Sequence, residues 1–536
     1  MTPKVWRRWV LEGVLGGLGM AIAAPPFGLW PLAWISLMPL WRCAFSALSG
    51  PALMTALVWG LTYNGITLHW VWGLHPLTWM GIPVGASWAI ACCCWLAVTV
   101  WTSLPALFWM IGMRSLLRVR LRPGLRLVLG VGLWCGLDGL LSGSALYWDP
   151  LALTQSPGNR AILHLGRLGG PMLVTGAIVA VNGLLAHGLL AHGSLTNGLL
   201  AARRMRWRRA IATMLTPSVA LLLLLHGLGG WLAAQPLADD PTQALSVGVI
   251  QGNIPTRIKL TDAGITQSVQ RYTEGYRTLA LAGADAVLMP EGALPFVWAE
   301  SQDWARPLTD AIMAETAENS STKPTVAWVG AFGRAGDSAD DSAGEVSGDR
   351  YTQSLFGLVP TARQNRPEPP QISRYNKTKL VPLGEYIPLE SSIGALLGRI
   401  SPLPASMAPG SPNQQFETPW GPAAVQICYE PAFSAIARRQ VARGAQWILS
   451  SANLDPYSEA LMAQSEAHDV MRAIETDRWL ARASNTGYSG FIDPHGRILW
   501  RSSAQTAVVH LKTIYRRQTQ TPYIRWGGLD KTSRHR

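Results

Sequence analysis

From about residue 9 to residue 234 the chain alternates long apolar runs with short polar breaks. Runs of spanning length lie at roughly 9–28, 30–47, 53–74, 84–113, 127–143, 162–192 and 210–234, since a helix needs ~20 apolar residues to cross a bilayer core. This pattern predicts a multi-span α-helical membrane domain over residues 1–235, with about seven transmembrane helices. Only the Pro25–Pro26 region separates the first two runs, so a re-entrant pair fits them equally well. Near residue 235 the pattern changes. After the polar linker Gln235-Pro-Leu-Ala-Asp-Asp-Pro-Thr, short β-type runs occur at Leu245–Gln251, Ala286–Met289, Thr325–Phe332, Gln353–Val359, Ala423–Cys428, Trp447–Ser450 and Gly487–Ile492. Between them, helical spacing appears at about 265–282, 303–318, 431–443 and 460–480. Strands alternating with helices predict a layered α/β domain, here over residues 236–515. Residues 516–536 read as a polar C-terminal tail.

Charge sharpens this division. The chain has 536 residues and a net charge of +13, which alone would suit a nucleic-acid partner. Its distribution argues otherwise. Residues 1–235 hold 16 Lys+Arg but only three acids, Glu12, Asp138 and Asp149, whereas the remainder holds 29 of each sign. The whole excess belongs to the apolar half, and a nucleic-acid binder would place it on a soluble face. The basic residues also cluster. Lys4, Arg7 and Arg8 precede the first run, Arg114, Arg118, Arg120, Arg122 and Arg126 surround one break, and Arg203, Arg204, Arg206, Arg208 and Arg209 another. With the N-terminus in the cytoplasm, seven spans leave both Arg clusters cytoplasmic and the basic-poor breaks near 75–83 and 144–159 outside. That is the positive-inside pattern. An odd number of spans puts the α/β domain on the outer side of the membrane.

Cysteine usage then isolates one residue. Cys43, Cys92, Cys93, Cys94 and Cys135 sit in or beside apolar runs, where a thiol behaves as a small hydrophobe. The α/β domain has only Cys428, which has no disulfide partner in that domain and no metal-ligand spacing around it. It ends the strand-like segment Val425-Gln-Ile-Cys428-Tyr-Glu430. Two other strand-like segments also finish on reactive groups. Val287-Leu-Met-Pro-Glu291 ends in a carboxylate, and Arg374-Tyr-Asn-Lys377 carries a lysine followed eight residues later by Glu385. Strand ends are where layered α/β domains commonly build sites. A lysine and a following helix near Pro431 predict a stabilised thiolate at Cys428. Each residue alone has a plain structural reading, as a buried thiol, a loop carboxylate or a surface lysine. Together, in this order and setting, they mark a candidate reactive site.

The ordered Glu, Lys and Cys resemble the nitrilase superfamily, and the whole chain resembles the apolipoprotein N-acyltransferases. The segments that carry the likeness are Gln251-Gly-Asn-Ile-Pro, Pro290-Glu-Gly-Ala-Leu-Pro295, Tyr375-Asn-Lys377, Leu380-Val-Pro-Leu-Gly-Glu-Tyr-Ile-Pro388, Ile427-Cys-Tyr-Glu430, Arg472-Ala-Ile-Glu475 and Arg482-Ala-Ser-Asn-Thr-Gly487. The resemblance implies an αββα sandwich for the second domain, with Glu291, Lys377 and Cys428 at catalytic positions and Glu385, Tyr429 and Glu430 at supporting ones. It implies an enzyme of the bacterial inner membrane, acting as a monomer with its catalytic domain on the periplasmic side. That enzyme moves a fatty acyl chain from a phospholipid to the N-terminal diacylglyceryl-cysteine of an apolipoprotein through a Cys thioester, without cofactor or metal.

Three departures from the family pattern stand out. Leu260 occupies a place where members usually carry tryptophan, and Asn453-Leu-Asp-Pro456-Tyr457 replaces the usual Asn-Asp-Ala-Trp-Phe. Members also usually end in a further span, which the polar tail here does not provide. These leave two rival readings, a membrane-tethered nitrilase-type amidase and a non-catalytic lipoprotein-binding paralogue. Acyl labelling of Cys428 from phospholipid separates both from acyl transfer. Finally, the stretch between Glu385 and Gly410 is apolar for a loop. Leu396, Leu397, Ile400 and Met407 read either as a lid over the site, guiding acyl chains, or as packing against the domain's own core.

Overall fold

A computed structural model describes residues 3–45, 50–196, 205–314, 324–336, 350–360, 371–382, 384–386, 407–455 and 457–527. The chain forms two compact units, Met1–Pro76 with Pro83–Pro236, and Leu77–Ile82 with Leu237–Arg536.

The first unit is helical. Among the described residues four helices are long and apolar enough to cross a membrane: Val84–Leu116, Pro123–Leu141, Pro171–Leu189 and Thr216–Ala233. The three earlier apolar runs behave differently from the simple expectation. The run at 9–28 belongs to helix Pro3–Ala23, which carries Arg7, Arg8 and Glu12, and the run at 53–74 divides into helix Gly50–Thr67 and a 3-10 segment, His69–Leu74. The run at 30–47 is not one span. It is a 3-10 turn at Trp30–Leu32 followed by the short helices Ala33–Ser36 and Met38–Phe45. Pro31 and Pro39 lack the amide hydrogen that a continuous helix needs. The break is satisfied from a neighbouring helix, because Asn182 Oδ1 accepts from Leu37 N at 2.9 Å while its Nδ2 donates to Ala33 O at 2.9 Å. In an apolar setting such freed peptide groups must find a partner inside the protein.

The second unit is a two-sheet sandwich with helices outside. In chain order its strands are β1 (Ala244–Gln251), β2 (Ala286–Leu288), β3 (Leu294–Val297), β4 (Val326–Arg334), β5 (Tyr351–Leu358), β6 (Gln371–Asn376), β7 (Ala424–Ile427), β8 (Ile448–Ala452), β9 (Leu480–Ser484), β10 (Gly490–Ile492), β11 (Ile498–Arg501) and β12 (Val508–Tyr515). The first sheet runs β12-β1-β2-β4-β5-β6, with β3 also pairing with β4, and the second runs β11-β10-β9-β8-β7. The links β1–β2, β2–β4, β7–β8 and β8–β9 are parallel.

Strand alternation builds two cores. Val247, Val249, Ala286 and Leu288 of one sheet meet Val425, Ile427, Leu449 and Ala481 of the other in one buried cluster. The opposite faces, with Ile250, Val287 and Val329, pack against Tyr272, Tyr276, Leu308 and Ile312 from helices Asp262–Leu281 and Gln302–Ala314. A sheet buried on both faces reads as near-continuous apolar runs. That explains why β1, β2 and β4 stand out in the sequence. Helices Ser434–Ala442 and Glu459–Thr476 follow β7 and β8. The αββα sandwich is therefore the architecture of this unit.

Four strands have no counterpart among the expected elements: β3, β9, β11 and β12; β6 matches the strand-like segment at Arg374–Lys377. The helical pattern assigned to 460–480 ends at Thr476, and Asp477 takes a left-handed conformation (φ 56°) before β9 starts at Leu480. The segment from 516 is not a loose tail up to Trp526. Arg517 Nη2 reaches Asp477 Oδ2 at 2.9 Å, Thr521 Oγ1 donates to Glu475 O at 2.8 Å, and Tyr523 and Ile524 are buried.

Candidate active site

The C-terminal ends of β2, β6, β7 and β8 place the chemical groups together. β2 leads through Met289 and Pro290 to Glu291. Gly330 of β4 makes room for this turn, since a Cβ there would sit 2.1 Å from the Pro290 carbonyl oxygen. Glu291 is 7 % exposed. Its Oε1 accepts from Lys377 Nζ at 3.0 Å and its Oε2 from the Asn453 amide at 3.0 Å. Lys377 follows β6, donates its amide to Gln353 O at 2.8 Å and is fully buried. Its Nζ also donates to Glu385 Oε1 at 2.5 Å. Glu385 Oε2 in turn accepts from the Val381 amide at 2.8 Å.

Cys428 leaves β7 with φ 54°, a left-handed conformation that a non-glycine residue adopts at some strain. Its amide extends the parallel ladder to Ser451 O at 2.8 Å, and its Sγ lies 3.7 Å from Asn453 O. The Glu291 carboxylate is near enough to act on the thiol and raise its pKa. Thus Glu291 links the thiol, the ammonium and the β8 end in one cluster.

Glu430 plays a different part from Glu385. It is completely buried and does not touch Lys377 among the described contacts. Oε1 accepts from Thr378 N at 2.7 Å, Thr378 Oγ1 at 2.6 Å and Tyr375 OH at 3.0 Å, while Oε2 accepts from Ile427 N at 2.7 Å. One carboxylate thereby clamps the lysine loop to the cysteine strand. Tyr429 lies edge-on to Phe433, with ring centroids 5.0 Å apart.

Electrostatics assign the resting protons. Burial is the main force raising the Cys428 pKa above the ordinary thiol value, Glu291 and Glu385 add to it, and Lys377 opposes it. The stabilised thiolate expected from the sequence is therefore corrected to a protonated thiol. The helix near Pro431 does not help, because a 3-10 turn at Glu430–Ala432 comes first and the α-helix starts only at Ser434. At Lys377 burial disfavours the charge, but Glu291, Glu385 and Cys428 outweigh it and hold the ammonium well above the usual lysine range. Glu385 is raised by burial and by Glu291, against the pull of Lys377. Burial likewise raises Glu430, against its hydrogen bonds from Thr378 and Ile427.

Comparison with known proteins covers most of the chain. Residues 16–184 match the family profile described as the apolipoprotein N-acyltransferase N-terminal domain, and residues 246–521 match that of carbon-nitrogen hydrolase. An apolipoprotein N-acyltransferase from Nostoc sp. is 44% identical over 95% of this chain and 94% of its own. One from Synechocystis sp. is 40% identical over 95% of each. The chain belongs to the apolipoprotein N-acyltransferase family. Among solved structures, an amidase from Nesterenkonia sp. aligns at 16% identity with a TM-score of 0.36, covering 54% of this chain and 95% of that one.

In this family member the sequence-derived groups fall into three sets. Glu291, Lys377, Cys428 and Glu385 converge, whereas Glu430 and Tyr429 flank them. Met407 is buried and its amide donates to Glu385 O at 2.8 Å, so it borders the lysine loop. Leu396, Leu397, Ile400 and Pro456 lie outside the described residues. Leu260 caps the short helix Thr256–Lys259 and is half exposed.

Several participants escaped sequence reasoning. Asn453 serves the cluster through its main chain, which no side-chain motif reveals. Asn485 Nδ2 donates to Asn453 Oδ1 at 3.1 Å and to Ile254 O at 2.7 Å, tying the Gly-Asn-Ile-Pro segment to the β8 end. Tyr375 and Asn485 both sit inside the family-like segments, so their presence there was the available signal. Lys259, adjoining Gly-Asn-Ile-Pro, had none beyond proximity. It is buried, and its Nζ donates to Glu291 O at 3.2 Å.

Proposed function

We propose that this acyltransferase moves a fatty acyl chain from a phospholipid to the α-amino group of the diacylglyceryl-cysteine that begins an apolipoprotein. The observation that carries the reading is the shared Glu291 carboxylate, near enough to act on the Cys428 thiol and bonded to Lys377 and Asn453 N. Glu291 removes the thiol proton as Sγ attacks the ester carbonyl, which suits a thiol that rests protonated. The Lys377 ammonium and backbone N–H groups after Cys428 hold the oxyanion. The tetrahedral adduct collapses, the proton on Glu291 passes to the departing lysophospholipid oxygen, and an S-acyl thioester remains. The acceptor amine then attacks, gives a proton to Glu291, and the expelled thiolate recovers that proton. Every group in these steps comes from one chain, in keeping with a monomer.

The test is direct. Phospholipid should leave a hydroxylamine-sensitive acyl adduct on Cys428, and Cys428→Ala should carry none. Active enzyme without that adduct would overturn the thioester route, and an adduct from small amides alone would favour an amidase.

The same reading sets the enzyme in the bacterial inner membrane with residues from 234 onward on the periplasmic side. Its support does not depend on the number of spans before residue 84. Among the described residues four helices of spanning length lie between residues 83 and 234, and the two Arg clusters fall at the end of the first and after the third of them. If those clusters are cytoplasmic, the chain beyond the fourth helix is outside. Reporter fusions near residues 120 and 206 should report cytoplasm, and those near 150 and 240 periplasm. A cytoplasmic signal at 240 would sink the lipoprotein reading.

A further inference from the structure

Lys259 is buried to 4 % exposure at the end of the short helix Thr256–Lys259. An ammonium has three N–H donors, yet among the described residues its Nζ makes a single hydrogen bond, 3.2 Å to the Glu291 main-chain oxygen. The nearby Asp455 carboxylate is used elsewhere, with Oδ2 accepting from Thr256 N at 2.7 Å, and it acts on Lys259 only through space. A buried cation with unfilled donors is costly unless a ligand completes it.

The position selects the ligand. Lys377 meets Glu291 at its carboxylate, where the thiol reacts, whereas Lys259 meets it at its main-chain carbonyl. Lys259 is thus offset from the reacting sulfur, while still close enough for Cys428 to act on it electrostatically. In a phospholipid the phosphate is likewise offset from the ester carbonyl by the glycerol carbons. We infer that Lys259 is a second cationic contact of the acyl-transfer site, one that holds a phosphate oxygen of the donor lipid. The inference rests on the phospholipid-dependent reading above. The titratable groups facing Lys259 are Glu291, Asp455 and the Cys428 thiol; burial lowers its pKa to about 8 against their pull, so it is mostly ammonium at neutral pH.

The full chain in detergent provides the test, with Cys428 acylation measured against two donors, a phospholipid and the p-nitrophenyl ester of the same fatty acid. Lys259→Met should raise the phospholipid concentration for half-maximal acylation roughly ten- to hundredfold, the usual weight of a hydrogen bond to a charged group. With the neutral ester the shift should stay under about threefold, and Lys259→Arg should recover most of the phospholipid affinity. An unchanged phospholipid requirement overturns the inference. So does an equal loss with both donors, which would make Lys259 a positioning residue for Glu291. Should the methionine variant melt early, Lys259→Gln carries the same comparison. Wild-type enzyme that takes acyl from the ester but never from phospholipid would instead defeat the donor assignment itself.

Discussion

The two units place their apolar side chains in opposite ways. In the first, large hydrophobics line the outside: Leu140 is 79 % exposed, and Val128, Leu223, Leu224 and Trp231 are also open. Only 17% of the Pro123–Leu141 span and 11% of the Thr216–Ala233 span is buried within the protein. In the second unit, Ala286, Val287 and Leu288 of β2 are wholly enclosed, although the strand has only three residues. The difference reflects the medium each unit requires. Contiguous apolar surface is unfavourable in water and costs nothing against lipid tails. The interior of the first unit is correspondingly specific, with indole N–H groups bound to main-chain oxygens (Trp41 to Val179, Trp109 to Gly130, Trp59 to Ser36). The second unit instead buries charged groups in pairs and clusters, among them Arg472 with Glu475, Arg482 with Asp469, and the Glu-Lys-Cys cluster.

The largest expected effect tests that last cluster. Lys377→Ala removes the ammonium that is bonded to Glu291 and Glu385 and that the proposed mechanism sets against the oxyanion. Loss of one such donor typically costs ~3–4 kcal/mol in the transition state, about 10²- to 10³-fold in rate. Single-turnover acylation of Cys428 should fall by at least that factor. A variant within tenfold of wild type would show that the cluster's cation is structural, and the contrast between the two interiors would lose its chemical meaning.

How legible this was from sequence differs between the units for the same reason. Helices crossing lipid must be continuously apolar, so the runs at 84–113, 127–143 and 210–234 announced themselves. The run at 30–47 misled, because composition records apolarity and not whether Pro31 and Pro39 break the helix. The buried strands β1, β2 and β4 were visible as apolar blocks. β11 alternates Ile, Leu, Trp and Arg with a half-exposed face, and β12 mixes His, Lys and Thr at partly buried positions, so neither forms such a block. Within the site, the side-chain groups were readable from motif order. The proton state of Cys428 was not, because burial decides it. Nor was the role of Asn453, which works through its amide, or of Lys259, whose burial reflects packing from distant segments.

A second, smaller effect concerns that buried lysine. Burial lowers Lys259 from 10.5 to about 8, opposed by Glu291, Asp455 and Cys428. Between those pH values the unfolded chain holds a proton there that the folded chain has released. Stability from this group is thus fully present above pH 10.5 and lost as pH falls through 8. The shift corresponds to ~3 kcal/mol across the window, at 1.36 kcal/mol per pKa unit. Melting curves of wild type and Lys259→Met from pH 7.5 to 10.5 should diverge in that direction, wild type gaining relative to the variant as pH rises. Parallel curves would mean that Lys259 titrates like a solvated lysine and is not the buried cation described here.

The smallest effect is the sharpest statement of the contrast. Leu140 and Leu288 are the same residue type, one 79 % exposed near the end of a spanning helix and the other 0 % exposed between two sheets. Truncating Leu288 to Ala removes packed atoms and leaves a cavity, at a cost on the order of 2–5 kcal/mol. Truncating Leu140 leaves no cavity, because only lipid or detergent tails contact most of it, and Ala keeps the helical propensity. Its expected cost in detergent is within about 0.5 kcal/mol, the range of surface changes. Leu140→Ser should remain nearly as mild, since a serine hydroxyl in a helix can bond to the preceding turn, whereas Leu140→Arg should impair insertion by roughly 2–3 kcal/mol only if the position lies deep in the bilayer. Measured melts of the alanine pair decide the matter. A Leu140→Ala loss approaching that of Leu288→Ala would mean that this face is covered by protein, and that exposure in the first unit marks an interface with another chain rather than contact with lipid.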